Sequence, residues 1–571
     1  MKDDILEAIV ERINHWMFVK EAEIYADKKK GPDFISCTHK IIEKTLIHAK
    51  NGGLTIDPRY ALSKEQFLRV ETWIGDIRHG KGVARVDSDE VPFDEDLLAL
   101  KREIDSVADV SYKIAIADYF DSMSKSSRSQ DPPFRRLSEE KPVQDIQKFS
   151  ETEVNLEELC SIAKEASDKL FEGVESGENG AGIVDEEVHL EIEDEKRRYA
   201  NSEGANIRTS SLRAHFYLEV TVRDKEGQEE TYSKRICALT PDELLNKKED
   251  VMAAVDDLLK TAEDRINCEA LESGIYKILL DPGALATAVH EALAAHLVSG
   301  EYVLFNHSTT FGIMKLEKKV MSEDVSVYDD ATIPDAWGSF DYDEEGVPAQ
   351  KTTLIEKGVL KGYLHTRSTA EKLARILPRR RPALYKDGKV YFDGHSNGKS
   401  RIGEWDNDFE EDEDVESPMD YGPPEPRTTN LVIESSDLVS KQELVDKLIE
   451  ACKKDGDKFG IIIEGGTGEV DIDTGEFMFY PDRMIKIYPD GRQEAVSRAS
   501  VIAKPHTFLG NIRKLGGEYC THRGWCSSVS GFIPTEARAP WGLVHPVEFK
   551  TEEADVSTKR LYEKLTRKSQ T

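Results

Sequence analysis

Two periodicities alternate along the chain. From Pro92 to Met123, "PFDEDLLALKREIDSVADVSYKIAIADYFDSM", apolar residues recur every three or four positions and predict a long helix. "NLEELCSIAKEASDKLFEG" repeats the pattern. "TPDELLNKKEDVMAAVDDLLKTAEDRIN" opens with Thr240 as N-cap and Pro241 behind it, which predicts helix along this stretch too. The first residues, "MKDDILEAIVERINHWMF", read as an amphipathic helix started by Asp3 or Asp4. Strict alternation marks "EVHLEIED" and "HFYLEVTVRD" as strands, and the second turns at "DKEGQ" to return as "ETYSKRIC", a predicted hairpin.

After the short strand "YKILLDP" the character shifts to strands and turns. "TTLIEKGVLKGYLH" reads as strand, Lys-Gly turn, strand, and "MIKIYPDGRQEAVS" folds around Pro-Asp-Gly. "EGGTGEVDIDTGEF" lacks the lysine and the strand–helix context of a phosphate loop and reads as a tight turn between strands. "DAWGSFDYDEEG" fails the calcium-loop spacing and reads as an exposed turn. "SKSSRSQDPPFRRLSEEKP" and the acidic block at 404–425 read as exposed loops. The fold class that follows is α+β. A mixed helix/strand N-terminal domain takes residues 1–280, and a strand-rich C-terminal domain, 281–571, carries the candidate metal site.

Composition removes several function classes. The 571 residues carry a formal charge of −33, which argues against nucleic acid and against anionic membrane surfaces as partners. No run of eighteen apolar residues marks a transmembrane helix. Seven widely spaced cysteines do not form a disulfide framework, so a reducing cytoplasm is the expected compartment. No Gly-x-Ser-x-Gly elbow supports a serine hydrolase.

Chemistry concentrates in "AVHEALAAHLVSGEY", Ala288 to Tyr302. His290 and His296 are zinc-ligand types, and Glu291 beside the first could act as general base for a metal-bound water. The spacing resists this reading, because six residues of regular helix leave the two rings ~120° apart. A π-bulge, or a helix that ends before His296, is needed to aim both rings at one ion. On spacing alone, two half-buried histidines of an Ala/Leu helix are the simpler reading. "YCTHRGWCSSVSGFIP" offers Cys520, His522 and Cys526 as further ligands, or as ordinary half-buried thiols.

Several segments in sequence together resemble the TldD/PmbA family of zinc metallopeptidases. They are "KILLDPGALATAVHEALAAH", "GSFDYDEEGVPAQKTTLIEKGVLKGYL", "HSNGKSR", "PEPRTTN", "GGTGEVDIDTGEFMF" and "GWCSSVSGFIPTEARAP", in the family's order. The resemblance implies His290, His296 and Cys526 as zinc ligands and Glu291 as general base. It also implies a peptidase for unfolded or short peptides, working as a homodimer or as a heterodimer with a family member around a cavity. One departure stands out: the family places five residues from first to second histidine, and this chain places six. The alternative is a catalytically silent subunit that binds peptide or completes a dimer, and a third reading is an acidic scaffold without metal.

Overall fold

A computed structural model describes residues 3–23, 32–55, 62–75, 77, 83–90, 96–126, 135–149, 154–173, 181–225, 227–304, 310–381, 394–403, 424–471, 474–528 and 530–551. Two sheets organise them. The first runs in the order Val83–Glu90, Leu62–Ile74, Phe34–Lys50, Gly182–Asn201, Asn206–Arg223, Gln144–Ile146, with Glu229–Ala238 also paired to Asn206–Arg223. Alternation decides its two faces. Ile47, Val188, Leu190, Ala214, Phe216 and Leu218 lie buried beneath helices Leu156–Glu172 and Lys248–Asn267. On the same face Ile35, Cys37, Leu68 and Val70 meet helices Asp4–Glu23 and Leu97–Ser126. Each such valine, leucine, isoleucine or phenylalanine taken out of water contributes ~1.5–3 kcal/mol.

The opposite face is polar, with Thr38, Lys40, Lys44, Glu191, Glu193, Glu195, Arg197 and Arg213 along it. Such a face ordinarily meets bulk water. Here the second half of the chain closes over it and leaves a cavity of about 2530 Å³.

The second sheet runs Val359–Leu360, Lys351–Glu356, Val325–Asp330, Asn430–Ser435, Ile533–Thr551, Gly274–Leu280, Gly460–Glu464, Arg483–Ile487, Gln493–Ser497, Glu269–Ala270. Ile512–Cys526 and Ala499–Ala503 pair with Ile533–Thr551, and the hairpin Thr467–Val470/Phe477–Tyr480 joins through Ala499–Ala503. The end of Gly274–Leu280, from Ile278 on, is buried on both sides. Ile278 and Leu280 pack with the helix Pro282–Val289, while Leu279 packs with Leu444, Leu448 and Cys452 of the helix Lys441–Asp455.

Several expectations are met in detail. Asp3 caps the first helix, its Oδ1 accepting the Leu6 N–H at 3.0 Å. The strands Asn206–Arg223 and Glu229–Ala238 form the hairpin. Lys357 and Gly358 turn with φ of 47° and 75°, the left-handed geometry of a tight two-residue hairpin. The stretch from Thr240 forms two helices, Pro241–Leu245 and Lys248–Asn267. The chain breaks where Asn246 Nδ2 donates to Asp242 O at 2.9 Å and Lys247 Nζ donates to Cys237 O at 2.7 Å.

Two expectations are overturned. "DAWGSFDYDEEG" is no exposed turn: Asp343 is 2% exposed, and its carboxylate accepts the N–H groups of Glu345, Val347 and Ser400. Cations of the first sheet hold it, with Lys40 3.2 Å from Glu344 and Arg197 donating to the carbonyls of Tyr342 and Asp343. Residues 135–142 are anchored rather than loose, since Arg135 pairs with Glu301 at 2.6 Å and Leu137 is buried. The loop residues 127–134 and the acidic block 404–423 lie outside the described residues. No helix among the described residues is long and apolar enough to cross a membrane.

Candidate active site

Asp281 ends the strand Gly274–Leu280 and starts the helix. Its Oδ1 accepts Ala284 N–H at 2.7 Å and Gly465 N–H at 3.2 Å, with Pro282 preset at the first helical position. The helix is regular only to Val289. His290–Ala294 is a π turn, in which Ala295 N–H reaches His290 O at 2.8 Å, five residues back. Val298 N–H reaches Leu293 O at 3.1 Å in the same way, and Ser299 N–H closes on His296 O at 2.9 Å. The wide turn is an irregularity of the kind that six-residue histidine spacing calls for.

Across the cavity wall, Cys526 ends the strand Ile512–Cys526, opposite Ile533. Its thiol hydrogen-bonds with His290. The buried Arg427 fixes the backbone there, donating to Cys526 O at 2.6 Å, Ser530 Oγ at 2.8 Å and Gly531 O at 3.1 Å. His296 lies against the Ser527 backbone and meets the Tyr302 ring edge-on at 5.5 Å. Its Nδ1 is buried with no hydrogen-bond partner. Glu291 lies over the strand Thr467–Val470, where a Cβ on Gly468 would come within 2.8 Å of Glu291 Cγ. Glycine there makes room for the carboxylate arm.

Charge is distributed unequally over these four side chains. Burial pushes the Cys526 thiol up, but Arg427 and His290 outweigh it and bring it down to about 6. Burial would lower His290, yet Cys526 and Glu291 lift it to about 9. Burial, then Arg427 and His290, hold His296 down at about 3, so its ring is neutral. Burial raises Glu291 to about 8, with Cys526 and Glu469 adding to it and His290 opposing.

His290, Glu291, His296 and Cys526 all line the cavity. His290 and Cys526 are in contact, whereas the three expected ligands do not all come within 4.8 Å of one another. Of the reserve ligands, Cys520 is exposed, while His522 lines the cavity and is held down to about 4 by burial, His290, Lys234 and Arg235. Arg427 and Gly468 had no role assigned from the sequence. Their segments "PEPRTTN" and "GGTGEV" marked them only as places of resemblance.

Two family models match, described as the PmbA/TldA metallopeptidase central domain over residues 149–265 and the C-terminal domain over 273–549. The chain belongs to the TldD/PmbA family of metallopeptidases. Among curated relatives, a metalloprotease of Methanothermobacter thermautotrophicus is 26% identical over 63% of this chain and 68% of its own. One of Archaeoglobus fulgidus is 27% identical over 51% of this chain and 58% of its own. Among solved structures, a candidate modulator of DNA gyrase from Bacteroides thetaiotaomicron superposes with a TM-score of 0.63 at 15% identity, over 96% of this chain and 99% of its own. TldE from Thermococcus kodakarensis gives 0.58 at 16%, over 91% and 97%. At these identities the two structures speak for the fold alone.

Proposed function

We propose that the protein is a zinc-dependent peptidase acting on unfolded or short peptides inside the cavity. The observation that carries this reading is the π turn. It sets His290 against Cys526 and Glu291 over Gly468 in the same cavity wall, although the residues lie more than 170 positions apart in sequence.

The donor set fits zinc. A thiolate held by Arg427 and a neutral imidazole with an unpartnered Nδ1 are ligand forms zinc takes, and His290, charged in the metal-free protein, would release its proton on binding. His290, His296 and Cys526 would hold the ion, which when bound supplies Lewis acidity toward a carbonyl and an acidified water. Glu291 would take the proton of the attacking water and hand it to the departing amine. Among the described residues Thr467–Val470 pairs on one side only, with Phe477–Tyr480, and its residues line the cavity. An extended peptide can add its backbone to that free edge beside Glu291. The active particle on this reading is a dimer, of two copies or with a related chain.

A second reading, the catalytically silent subunit, is favoured by one observation: the three donors do not close within 4.8 Å of one another. Hydrolysis of an unstructured peptide, with metal analysis beside it, separates the two. Glu291→Gln should keep zinc and lose ~10²–10⁴-fold in rate, the usual general-base contribution. His290→Ala should lose zinc and activity together. Peptide binding without zinc or turnover selects the silent subunit. Zinc bound with no turnover in any form makes the site structural.

A further inference from the structure

A second metal-ligand cluster lies on the polar face of the first sheet, beyond the rim of the cavity. His48 and His189 face each other directly across the paired strands Phe34–Lys50 and Gly182–Asn201, with rings stacked at 4.4 Å. Glu187, two residues before His189, points the same way. Its Oε2 lies 3.5 Å from His48 Nε2 and 3.2 Å from His189 Nε2. Nitrogen and oxygen donors bound to zinc at ~2.0–2.1 Å in a tetrahedron stand about 3.3–3.4 Å apart, and the observed separations bracket that value.

One tautomer of His48 leaves a ring nitrogen free beside Glu187. Thr55 Oγ1 donates to His48 O at 3.1 Å. The same oxygen lies 3.0 Å from His48 Nδ1, and with the proton on Nδ1 it accepts that N–H. In that tautomer Nε2 carries a lone pair. Nε2 is buried, has no hydrogen-bond partner, and faces a carboxylate oxygen that also carries only lone pairs. Two acceptors facing each other call for a cation between them. Lys50 does not fill that role, because its ammonium sits on the other oxygen, Glu187 Oε1, at 2.7 Å and on Asp185.

We propose that His48, Glu187 and His189 bind a divalent transition-metal ion of the zinc type, clipping the paired strands Phe34–Lys50 and Gly182–Asn201 together. Imidazole nitrogen selects zinc, nickel or copper over magnesium or calcium. The clip is separate from the cavity site, and neither needs the other.

Zinc alone is the probe, titrated into chelator-stripped full-length protein in four forms. Wild type should bind about two equivalents per chain, and His290→Ala/Cys526→Ala about one. His48→Ala/His189→Ala should bind about one, and the quadruple variant none. Circular dichroism checks that each form folds. In the His290→Ala/Cys526→Ala background zinc should raise Tm, and Glu187→Gln, which leaves the strand pattern intact, should raise the zinc concentration needed for that rise at least tenfold. The proposal is overturned if His290→Ala/Cys526→Ala binds no zinc, or if removing His48 and His189 leaves the stoichiometry unchanged. Equal zinc in wild type and His290→Ala/Cys526→Ala would instead count against the cavity site and leave the clip standing.

Discussion

Two helices sandwich the strands Gly274–Leu280 and Gly460–Glu464 from opposite sides, and they obey opposite rules. Lys441–Asp455 has Ser440 as N-cap, a left-handed Gly456 at its end, and one buried stripe of Leu444, Leu448 and Cys452. Every local preference agrees with its place in the fold. Pro282–Val289 starts as well, with Asp281 and Pro282, but is buried nearly all round and gives way to a π turn at His290. The first helix serves only packing. In the second, backbone regularity is given up where His290, Glu291 and His296 must reach the cavity, and irregular helix concentrates at such places.

That contrast can be attacked from the site side first. Gly468→Ala puts a methyl 2.8 Å from Glu291 Cγ and 3.1 Å from Met478 O. Displacing the base by a fraction of an ångström should cost up to ~10²-fold in peptide hydrolysis while zinc content stays unchanged. Full activity in Gly468→Ala would show that Glu291 is not held in place by that strand. The matching attack on the regular helix is Leu448→Ala. It should cost ~2–5 kcal/mol in denaturant unfolding, as buried Leu-to-Ala truncations do, and leave zinc affinity and turnover per folded molecule alone. Should Leu448→Ala lower zinc affinity as strongly as stability, the two helices would not be separable in this way.

The smallest effect is one of pH, measured on metal-stripped protein. The Cys526 thiol is depressed from 9.0 to about 6, so its stabilising contribution is complete above 9 and lost as pH falls through 6. His290 is raised from 6.5 to about 9, so its contribution is complete below 6.5 and lost as pH rises through 9. Both charges coexist between about 6 and 9. Alkylation of Cys526, followed by mass spectrometry of its peptide, should be half-maximal near pH 6 and blocked by zinc. A midpoint near that of a free thiol, ~8.5, would remove the thiolate from the account.

Much of the fold was legible because its signals are local. Asp3, Thr240 with Pro241, and the Lys357–Gly358 turn announce themselves within four residues, and the alternation in Gly182–Asn201 names its buried face. What that alternation cannot say is what the polar face meets. It reads as facing bulk solvent, yet it lines a large, partly open cavity. The acidic turn 341–346 was misread for a related reason: the cations that bury it, Lys40 and Arg197, lie 304 and 146 positions from their partners. The π turn left no mark in local propensity, since "HEALAAH" contains neither glycine nor proline and its alanines, leucine and glutamate favour regular helix; only the histidine spacing pointed to it. Ideal spacing argued against His290 and His296 as a pair, and only the resemblance of the surrounding segments argued for them.

The central claim is that this irregular turn and Cys526 form one zinc site, and zinc content tests it most directly. The background should be His48→Ala/His189→Ala, which removes the other candidate cluster among the described residues. That protein should carry about one zinc per chain, and adding Cys526→Ala should reduce it to none at micromolar zinc. If the Cys526→Ala form keeps its zinc, or the background form holds none after reconstitution, the π turn does not build a metal site and the silent-subunit reading takes its place.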